Sequence, residues 1–289
     1  GNLSNVSTNT FTVDATATRL TTSVTRLQLS ADTGISPTDR ITKTASQTVS
    51  GDLSAALVAY ESVYISADGG SNWYAATAST GSTSFSLSGI SLEVGANNTL
   101  KAKVMNTSTS GSSVEYSIFY TLDTTVPTVS SVAFSGATGA QNNFLNAGDV
   151  VSATVTFSEA VTVTTTNGTP YLNLNIGGTT VQAAYASGSG TTALIFSYTI
   201  LSGQTDANGV SIDTNSLNLN SGSITDTAGN TATLTHTAVT DNASYMVDTS
   251  APTTTVSTVV FSADTGTSSS DFVTATAAQD ITGTLSANL

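Results

Sequence analysis

The fold is indicated by a stretch near the end of the chain, Tyr245-Met246-Val247-Asp248-Thr249-Ser250-Ala251-Pro252, which has an earlier counterpart, Tyr120-Thr121-Leu122-Asp123-Thr124-Thr125-Val126-Pro127. A weaker copy, Phe11-Thr12-Val13-Asp14-Ala15, lies near the start. The first half of each copy alternates apolar residues and spacers with the period of a β-strand. The proline in the two full copies cannot donate to a sheet ladder and restricts the exit. Each copy therefore predicts the last strand of one module and a stiffened step into the next.

Composition limits both the fold class and the partners. The chain has 289 residues, with 19 acidic residues, 6 lysines and arginines and a net charge of −13. This balance disfavours nucleic acid and anionic membrane as partners, since both attract cationic surfaces. Only 9% of residues are charged, and the abundance of Thr and Val favours sheet over disorder. The absence of cysteine excludes disulfides, thiolate zinc sites and cysteine nucleophiles, and no apolar run approaches the length of a membrane span.

An internal repeat shows how the modules are arranged. The segment Ser30-Ala31-Asp32-Thr33-Gly34 recurs as Ser262-Ala263-Asp264-Thr265-Gly266. Gly51-Asp52-Leu53-Ser54-Ala55-Ala56-Leu57 recurs as Gly283-Thr284-Leu285-Ser286-Ala287-Asn288-Leu289 at the same offset of 232, the difference between 264 and 32. Self-similarity at a fixed offset is the mark of repeated modules.

The repeat predicts four parts. Residues 1–13 are interpreted as the last strand of a preceding module, 14–122 as immunoglobulin-like module A, 123–247 as module B, and 248–289 as a truncated first half of a second A-type module. Modules A and B are each close to the size of one immunoglobulin domain, about 100 residues. The first residues, Gly1-Asn2-Leu3, show neither a starting methionine nor a secretion signal. The chain is therefore interpreted as an internal piece of a longer polypeptide.

Strand patterns run through both modules. In module A, Asp68-Gly69-Gly70 lies between alternating segments and predicts a hairpin. In module B, strands are predicted near Val150–Phe157, ending by Glu159, and near Thr231–Thr235. No segment of either module shows sustained helical periodicity. The predicted fold class is all-β, with tandem immunoglobulin-like Greek-key β-sandwiches in an elongated array.

Module B resembles the repeat of giant bacterial surface proteins that is named after a cyanobacterial swimming-motility protein. The similarity runs through Phe157-Ser158-Glu159-Ala160-Val161-Thr162-Val163, Gly168-Thr169-Pro170-Tyr171-Leu172-Asn173-Leu174 and Ile224-Thr225-Asp226-Thr227-Ala228-Gly229-Asn230. Module A is similar to bacterial immunoglobulin-like repeats of large secreted adhesins through Val63-Tyr64-Ile65-Ser66-Ala67-Asp68-Gly69-Gly70 and Trp73. The resemblance implies an extracellular protein at the bacterial cell surface, exported by a one-step secretion system.

The carboxylates of module B have no basic partner within the module. Between Asp123 and Val247 there are seven acidic residues and no lysine or arginine. A solubilising surface explains them in part, but calcium binds six to eight hard oxygens of this kind. Sandwich topology predicts that one group gathers at the junction of modules A and B and a second at the far end of module B. The first group is Asp123, Glu159, Asp226, Asn230, Asp32 and Asp39. The second is Asp206, Asn208, Asp213 and Asp248.

The function predicted from these features is a structural stalk segment whose junctions are stiffened by calcium. The neighbouring modules of the same chain are its expected partners. A subunit of a self-assembling filament, sheath or surface layer remains an alternative, with other copies as partners. A carbohydrate-binding module that recognises cell-surface glycans is another. Its aromatic platform would draw on Tyr171, Tyr185, Tyr198, Phe196, Trp73 and Tyr74, although strand aromatics more often lie in a core.

An enzyme is disfavoured by the supply of catalytic groups. His236 is the only histidine, so neither a histidine-rich metal site nor a pair of acid–base histidines is available. A Ser-His-Asp triad lacks a nucleophile-elbow context. Paired carboxylates suit a glycosidase, but these acids lie in loops at module ends.

Overall fold

The computed structural model describes residues 20 and 22–287, and these residues contain no helix. The segment 1–13, with Asp14, lies outside the described residues. Within them, twenty β-strands form five sheets. None of the described residues forms a helix long and apolar enough to cross a membrane. The prediction of an all-β fold is confirmed.

Module A is a two-sheet sandwich. Its strands are β1 Val24–Leu29, β2 Ile41–Thr42, β3 Ser46–Leu53, β4 Glu61–Ser66, β5 Tyr74–Ala75, β6 Ser84–Ser91, β7 Gly95–Asn106 and β8 Tyr116–Leu122. One sheet has the order β1-β3-β6 and the other β2-β8-β7-β4-β5. Apolar residues at alternate strand positions, including Val49, Val63 and Leu100, are fully buried between the sheets. This is the layering of an immunoglobulin-like sandwich, and the hairpin predicted at Asp68 is confirmed by the pairing of β4 with β5.

Module B is a second sandwich with its own core. Its strands are β9 Val129–Thr138, β10 Phe144–Leu145, β11 Val150–Thr164, β12 Tyr171–Ile176, β13 Thr179–Ser187, β14 Thr191–Thr199, β15 Thr205–Asp206, β16 Leu217–Asn218, β17 Ser223–Thr225 and β18 Met246–Asp248. The larger sheet has the order β16-β12-β13-β14-β11-β17, with β9 also on β11, and the smaller sheet has the order β10-β18-β15. Strands β12, β13 and β14 form a meander whose last strand lies beside β11, which is a Greek-key arrangement.

Two strand predictions in module B were wrong. Strand β11 does not end by Glu159 but continues to Thr164, and Glu159 lies inside it. The pairing of β11 with β14 shifts register between Thr156 and Val161, after which β11 pairs with β17. A bulge of this kind bends a strand and re-aims its side chains. The second strand, Thr231–Thr235, is absent, since Thr231 and Thr233 form only isolated bridges.

The repeated segment after Asp248 forms a hairpin of two strands, β19 Val256–Phe261 and β20 Ile281–Leu285. At the offset of 232, Val256 and Ile281 correspond to Val24 and Val49 of module A. Val24 and Val49 are buried, whereas Val256 and Ile281 are 60% and 66% exposed. The hairpin therefore has the strand pairing of an A-type opening without the packing of its second sheet.

A buried glutamine fixes the loop that follows β1. The amide oxygen of Gln47 accepts hydrogen bonds from Ser30 Oγ at 2.8 Å and from the Ala31 backbone N–H at 2.9 Å. Its amide nitrogen donates to the carbonyls of Ala31 and Thr44. Gln47 is 1% exposed, so these bonds satisfy polar groups that water cannot reach. Gln279 makes the equivalent bonds in the repeated segment.

Replacing Gln47 with alanine is expected to lower the unfolding free energy of module A by about 2–3 kcal/mol, because backbone groups of the loop lose their partners inside the protein. Urea unfolding followed by the fluorescence of Trp73, the only tryptophan, reports on module A. The exposed Gln28 on β1 is the matched control, and Gln28→Ala is expected to change the free energy by less than about 0.5 kcal/mol. Equal effects of the two substitutions would contradict a stabilising role for the buried amide.

Candidate metal centre

Three carboxylates meet where module A passes into module B. Asp123 follows β8, Glu159 lies on β11 and Asp226 follows β17. One carboxylate oxygen from each residue lies within 4.8 Å of the others. The structure thus brings together three of the residues predicted for this junction.

The turn from Asp226 to Asn230 gives the cluster its shape. Asp226 is 2% exposed, and its two carboxylate oxygens accept hydrogen bonds from the backbone N–H and the side-chain amide of Asn230, at 2.8 and 2.7 Å. The same side-chain amide donates to the backbone carbonyl of Asp123 at 2.9 Å. Asn230 therefore ties Asp123, the first residue of the linker, to the turn of module B.

Glu159 is the residue of the cluster whose carboxylate is not fully hydrogen-bonded. Its Oε1 is buried and has no hydrogen-bond partner among the described residues. Burial raises the pKa of this carboxyl, and the negative charges of Asp123 and Asp226 raise it further. A buried carboxylate oxygen beside two like charges needs a proton or a cation.

The donor set fits a hard divalent cation. It consists of carboxylate oxygens, without a histidine or thiolate ligand. Oxygen donors of this kind suit calcium and magnesium, and the flexible coordination of calcium suits a site built from two loop residues and one residue of a bulged strand. Asp123, Glu159 and Asp226 are the residues that would hold the ion, with the unpartnered Oε1 of Glu159 among its ligands.

Module A contacts the same turn directly. Thr33 Oγ1 donates to the carbonyl of Ala228 at 2.6 Å, and Lys43 Nζ donates to the carbonyl of Gly229 at 2.5 Å. Gly229 has a φ of 89°, and a Cβ at this position would lie 2.7 Å from the carbonyl oxygen of Thr33. The turn thus needs glycine both for its backbone conformation and for the close approach of module A.

Asp32 and Asp39 lie in the loop that contacts this turn, but they are not among the three clustered carboxylates. Asp32 Oδ2 accepts the backbone N–H of Arg40, and Asp39 accepts those of Ser36 and Ile41, each at 3.0 Å. The two carboxylates therefore shape their own loop. This loop positions the two residues that contact module B.

The acids predicted at the far end of module B are not brought together as a cluster of three in the described part of the chain. Asp206 is buried, and its oxygens accept backbone N–H groups of Gly177, Asn208 and Gly209. Asp248 accepts the N–H of Ser250. The remaining two residues are Asn208, which donates to Asp241, and Asp213, which is exposed.

Sequence reasoning missed Thr33 and Lys43 as junction residues. Thr33 lies in a repeated segment, but the repeat does not mark it as a contact, and Lys43 belongs to no motif. A hydroxyl and an ammonium that bind backbone carbonyls need no fixed spacing from other residues. The glycine of Asp226-Thr227-Ala228-Gly229-Asn230 was a usable signal, since glycine in a polar loop often marks close backbone approach.

The other candidate groups have structural surroundings. His236 Nε2 accepts the backbone N–H of Ser216 at 2.9 Å, and the 2.8 Å contact of Nδ1 with the carbonyl of Thr237 assigns the proton to Nδ1. Both ring nitrogens are thus engaged. Phe196 is fully buried, and Lys103 Nζ lies 3.8 Å from the ring centroid of Trp73. Because it is buried, Phe196 cannot form part of an exposed aromatic platform. Lys103 covers one face of the Trp73 ring.

Comparisons with known proteins identify no family. No protein-family model matches the chain, and no curated protein matches it. The similarity of module B to the swimming-motility repeat therefore stays a prediction.

Two solved structures resemble parts of the chain. A tetra-tandem repeat from the extending region of a large adhesion protein is 18% identical over 83% of this chain, with a TM-score of 0.27. This chain spans 51% of that structure's length. A two-domain fibronectin type III segment of chicken tenascin is 15% identical over 66% of this chain and 89% of that structure, with a TM-score of 0.22. TM-scores this low do not establish a common arrangement, so the fold described above rests on its own strand pairing.

Replacing Gly229 with alanine is expected to destabilise the chain by about 2–3 kcal/mol, because the added Cβ forces the turn away from Thr33 and breaks its bonds to module A. Gly178 is the matched control, since it has a similar φ of 85° but open space around it. Gly178→Ala is expected to lower the unfolding free energy by about 1 kcal/mol, which is the cost of the backbone strain alone. Thermal unfolding measured by calorimetry compares the two, and equal losses would show that the contact with Thr33 contributes nothing.

The stability of the metal-free chain is expected to depend on the protonation of Glu159. Its pKa is raised above the ordinary 4.5, so the folded state holds this proton more tightly than the unfolded state. The resulting stabilisation is present below pH 4.5 and is lost as the pH rises through the raised value. Glu159→Gln is therefore expected to be more stable than the parent chain at about pH 7 in chelator, with the difference shrinking towards acid. Urea unfolding at several pH values measures this, and a difference independent of pH would contradict it.

Proposed function

We propose that this chain is a structural stalk segment of a large extracellular bacterial surface protein, and that calcium stiffens the junction between its two modules. The observation that carries the proposal is the buried, unpartnered Oε1 of Glu159 beside Asp123 and Asp226. A cluster that lacks a basic partner in its own module gains most from an external cation.

The position of the cluster explains how a cation acts mechanically. Asp123 belongs to the linker that leaves module A, whereas Glu159 and Asp226 belong to the body of module B. Two unit charges about 5 Å apart repel by roughly 3 kcal/mol at an effective dielectric constant of about 20. A divalent cation bound between the carboxylates would attract all three and so offset their mutual repulsion. It would link Asp123 in the linker to Glu159 and Asp226 in module B. The linker is then held against module B and loses its freedom to bend.

The direct contacts between the modules support a load-bearing role. Thr33, Lys43 and Asn230 each make a hydrogen bond across the junction without a cation. These contacts keep the two loops in register, so the cation would rigidify a junction that is already assembled. Extracellular calcium modules bind at roughly 10⁻⁴–10⁻³ M, which is the affinity expected for a site outside the cell.

Calcium is expected to stabilise the chain against unfolding. With a dissociation constant of roughly 10⁻⁴–10⁻³ M, about 10 mM calcium should add about 1.4–2.7 kcal/mol. Glu159→Gln is expected to abolish most of this gain because it removes one charged ligand. Calorimetry with calcium or chelator measures the stability, and small-angle scattering under the same conditions measures the stiffness of the junction.

Asp213→Asn is the control, because it changes the charge equally at an exposed position of module B outside the cluster. This variant is expected to keep the full response to calcium. The proposal is wrong if chelation changes neither stability nor scattering, or if Glu159→Gln and Asp213→Asn respond alike.

A further inference from the structure

The end of module A at which the described chain enters carries exposed apolar side chains. The backbone N–H of Ser54 donates to the carbonyl of Ser23 at 2.9 Å, so the chain enters beside the loop between β3 and β4. This loop holds Val58 and Tyr60, which are 53% and 69% exposed. Val114, 87% exposed, lies in the segment after β7, whose loop reaches the same end because the N–H of Thr107 donates to the carbonyl of Tyr60 at 2.8 Å.

Exposure alone does not identify a contact surface. Ile35 and Val94, at the opposite end of module A, are 72% and 70% exposed although module B follows there. Tyr60 differs because it has a φ of 67°, a conformation that is rare for a bulky residue. Its carbonyl accepts hydrogen bonds from the N–H and Oγ1 of Thr107, which hold the strained backbone in place. Strain maintained by specific bonds around an exposed aromatic points to a functional position.

The repeat within the chain shows what precedes an A-type opening. The second opening begins at Asp248, the last residue of β18, the final strand of module B. The turn Leu201–Gln204 of module B lies at this exit, because the N–H of Gly203 donates to Thr249 Oγ1 and Thr249 Oγ1 donates to the carbonyl of Gln204, both at 2.9 Å. Leu201 is 58% exposed, and its N–H is held by the side chain of Gln204 at 2.7 Å. A rigid turn thus displays an apolar residue where the next module starts.

We infer that Leu201 and the apolar entry surface formed by Val58, Tyr60 and Val114 are the two halves of a hydrophobic junction between module B and the A-type module that follows it. In this chain the two halves are seen separately, one on module B and one on module A. The partner of the entry surface is therefore the exit end of a B-type module. This inference rests on the tandem stalk arrangement proposed above and does not involve a cation.

The two kinds of junction then differ in chemistry. The junction from A to B joins carboxylates, a lysine and backbone carbonyls, whereas the junction from B to A joins apolar side chains. Removing calcium is expected to loosen the first and leave the second unchanged.

The test lengthens the whole chain by adding residues 58–122 after Leu289, which continues the repeat at the offset of 232 and completes the second A-type module. The added residues reproduce a module that has its own core. Since the chain has no cysteine, Ser202→Cys places a single thiol beside Leu201. The rate of maleimide labelling is compared between the lengthened and the 289-residue chain. Burial of a side chain the size of leucine predicts labelling roughly tenfold or more slower in the lengthened chain.

Adding Leu201→Ser to the lengthened chain is expected to restore fast labelling, whereas Val94→Ser, at the opposite end of module A, is expected to keep the protection. Equal rates in the two chains, or protection that survives Leu201→Ser, would overturn the inference. Repeating the measurement in chelator separates it from the calcium proposal. Protection that persists without calcium supports the hydrophobic junction even if the carboxylate cluster binds no metal. Protection lost on chelation contradicts the hydrophobic junction.

Discussion

The structure depends on one electrostatic constraint, the burial of carboxylates at a junction whose larger module has no lysine or arginine. Asp226 is held by two hydrogen bonds from Asn230, but Glu159 keeps a buried oxygen without a partner. Folding module B therefore places negative charge in a poorly solvated position that only a proton or a cation can neutralise. The surrounding contacts from Thr33 and Lys43 of module A bind backbone carbonyls and not the carboxylates.

This arrangement separates assembly of the junction from its stiffness. Hydrogen bonds to the carbonyls of Ala228 and Gly229 are neutral or singly charged contacts that do not require a cation. The carboxylate cluster would respond to a bound cation, because the repulsion among its charges falls when a divalent ion binds. Under the function proposed above, a chain built in this way keeps its modules together with or without a cation, and stiffens when a cation binds.

The sequence predicted much of the fold because β-sandwiches leave strong local signals. The alternation of apolar residues and the Asp68 hairpin signal each depend on near neighbours and could be read directly. The path of β11 beyond Phe157 could not, since it depends on a bulge whose position is set by pairing with β14 and β17. At the site, Asp123, Glu159 and Asp226 could be assigned to one junction from topology. The roles of Thr33 and Lys43 could not, because they bind backbone atoms and leave no side-chain pattern.

The buried glutamine of the first loop has a consequence for how such chains change over time. Gln47 and Gln279 hold the same loop in both copies, but Lys43, which contacts module B, is replaced by Ala275 in the second. A residue that reaches a neighbour, such as Lys43, can thus change while the bonds that maintain the loop are kept. Substitutions at the contact positions can alter the strength of one junction without affecting the folding of any module. A long chain of such repeats can therefore combine rigid and compliant junctions along its length, each adjusted independently by a few side chains.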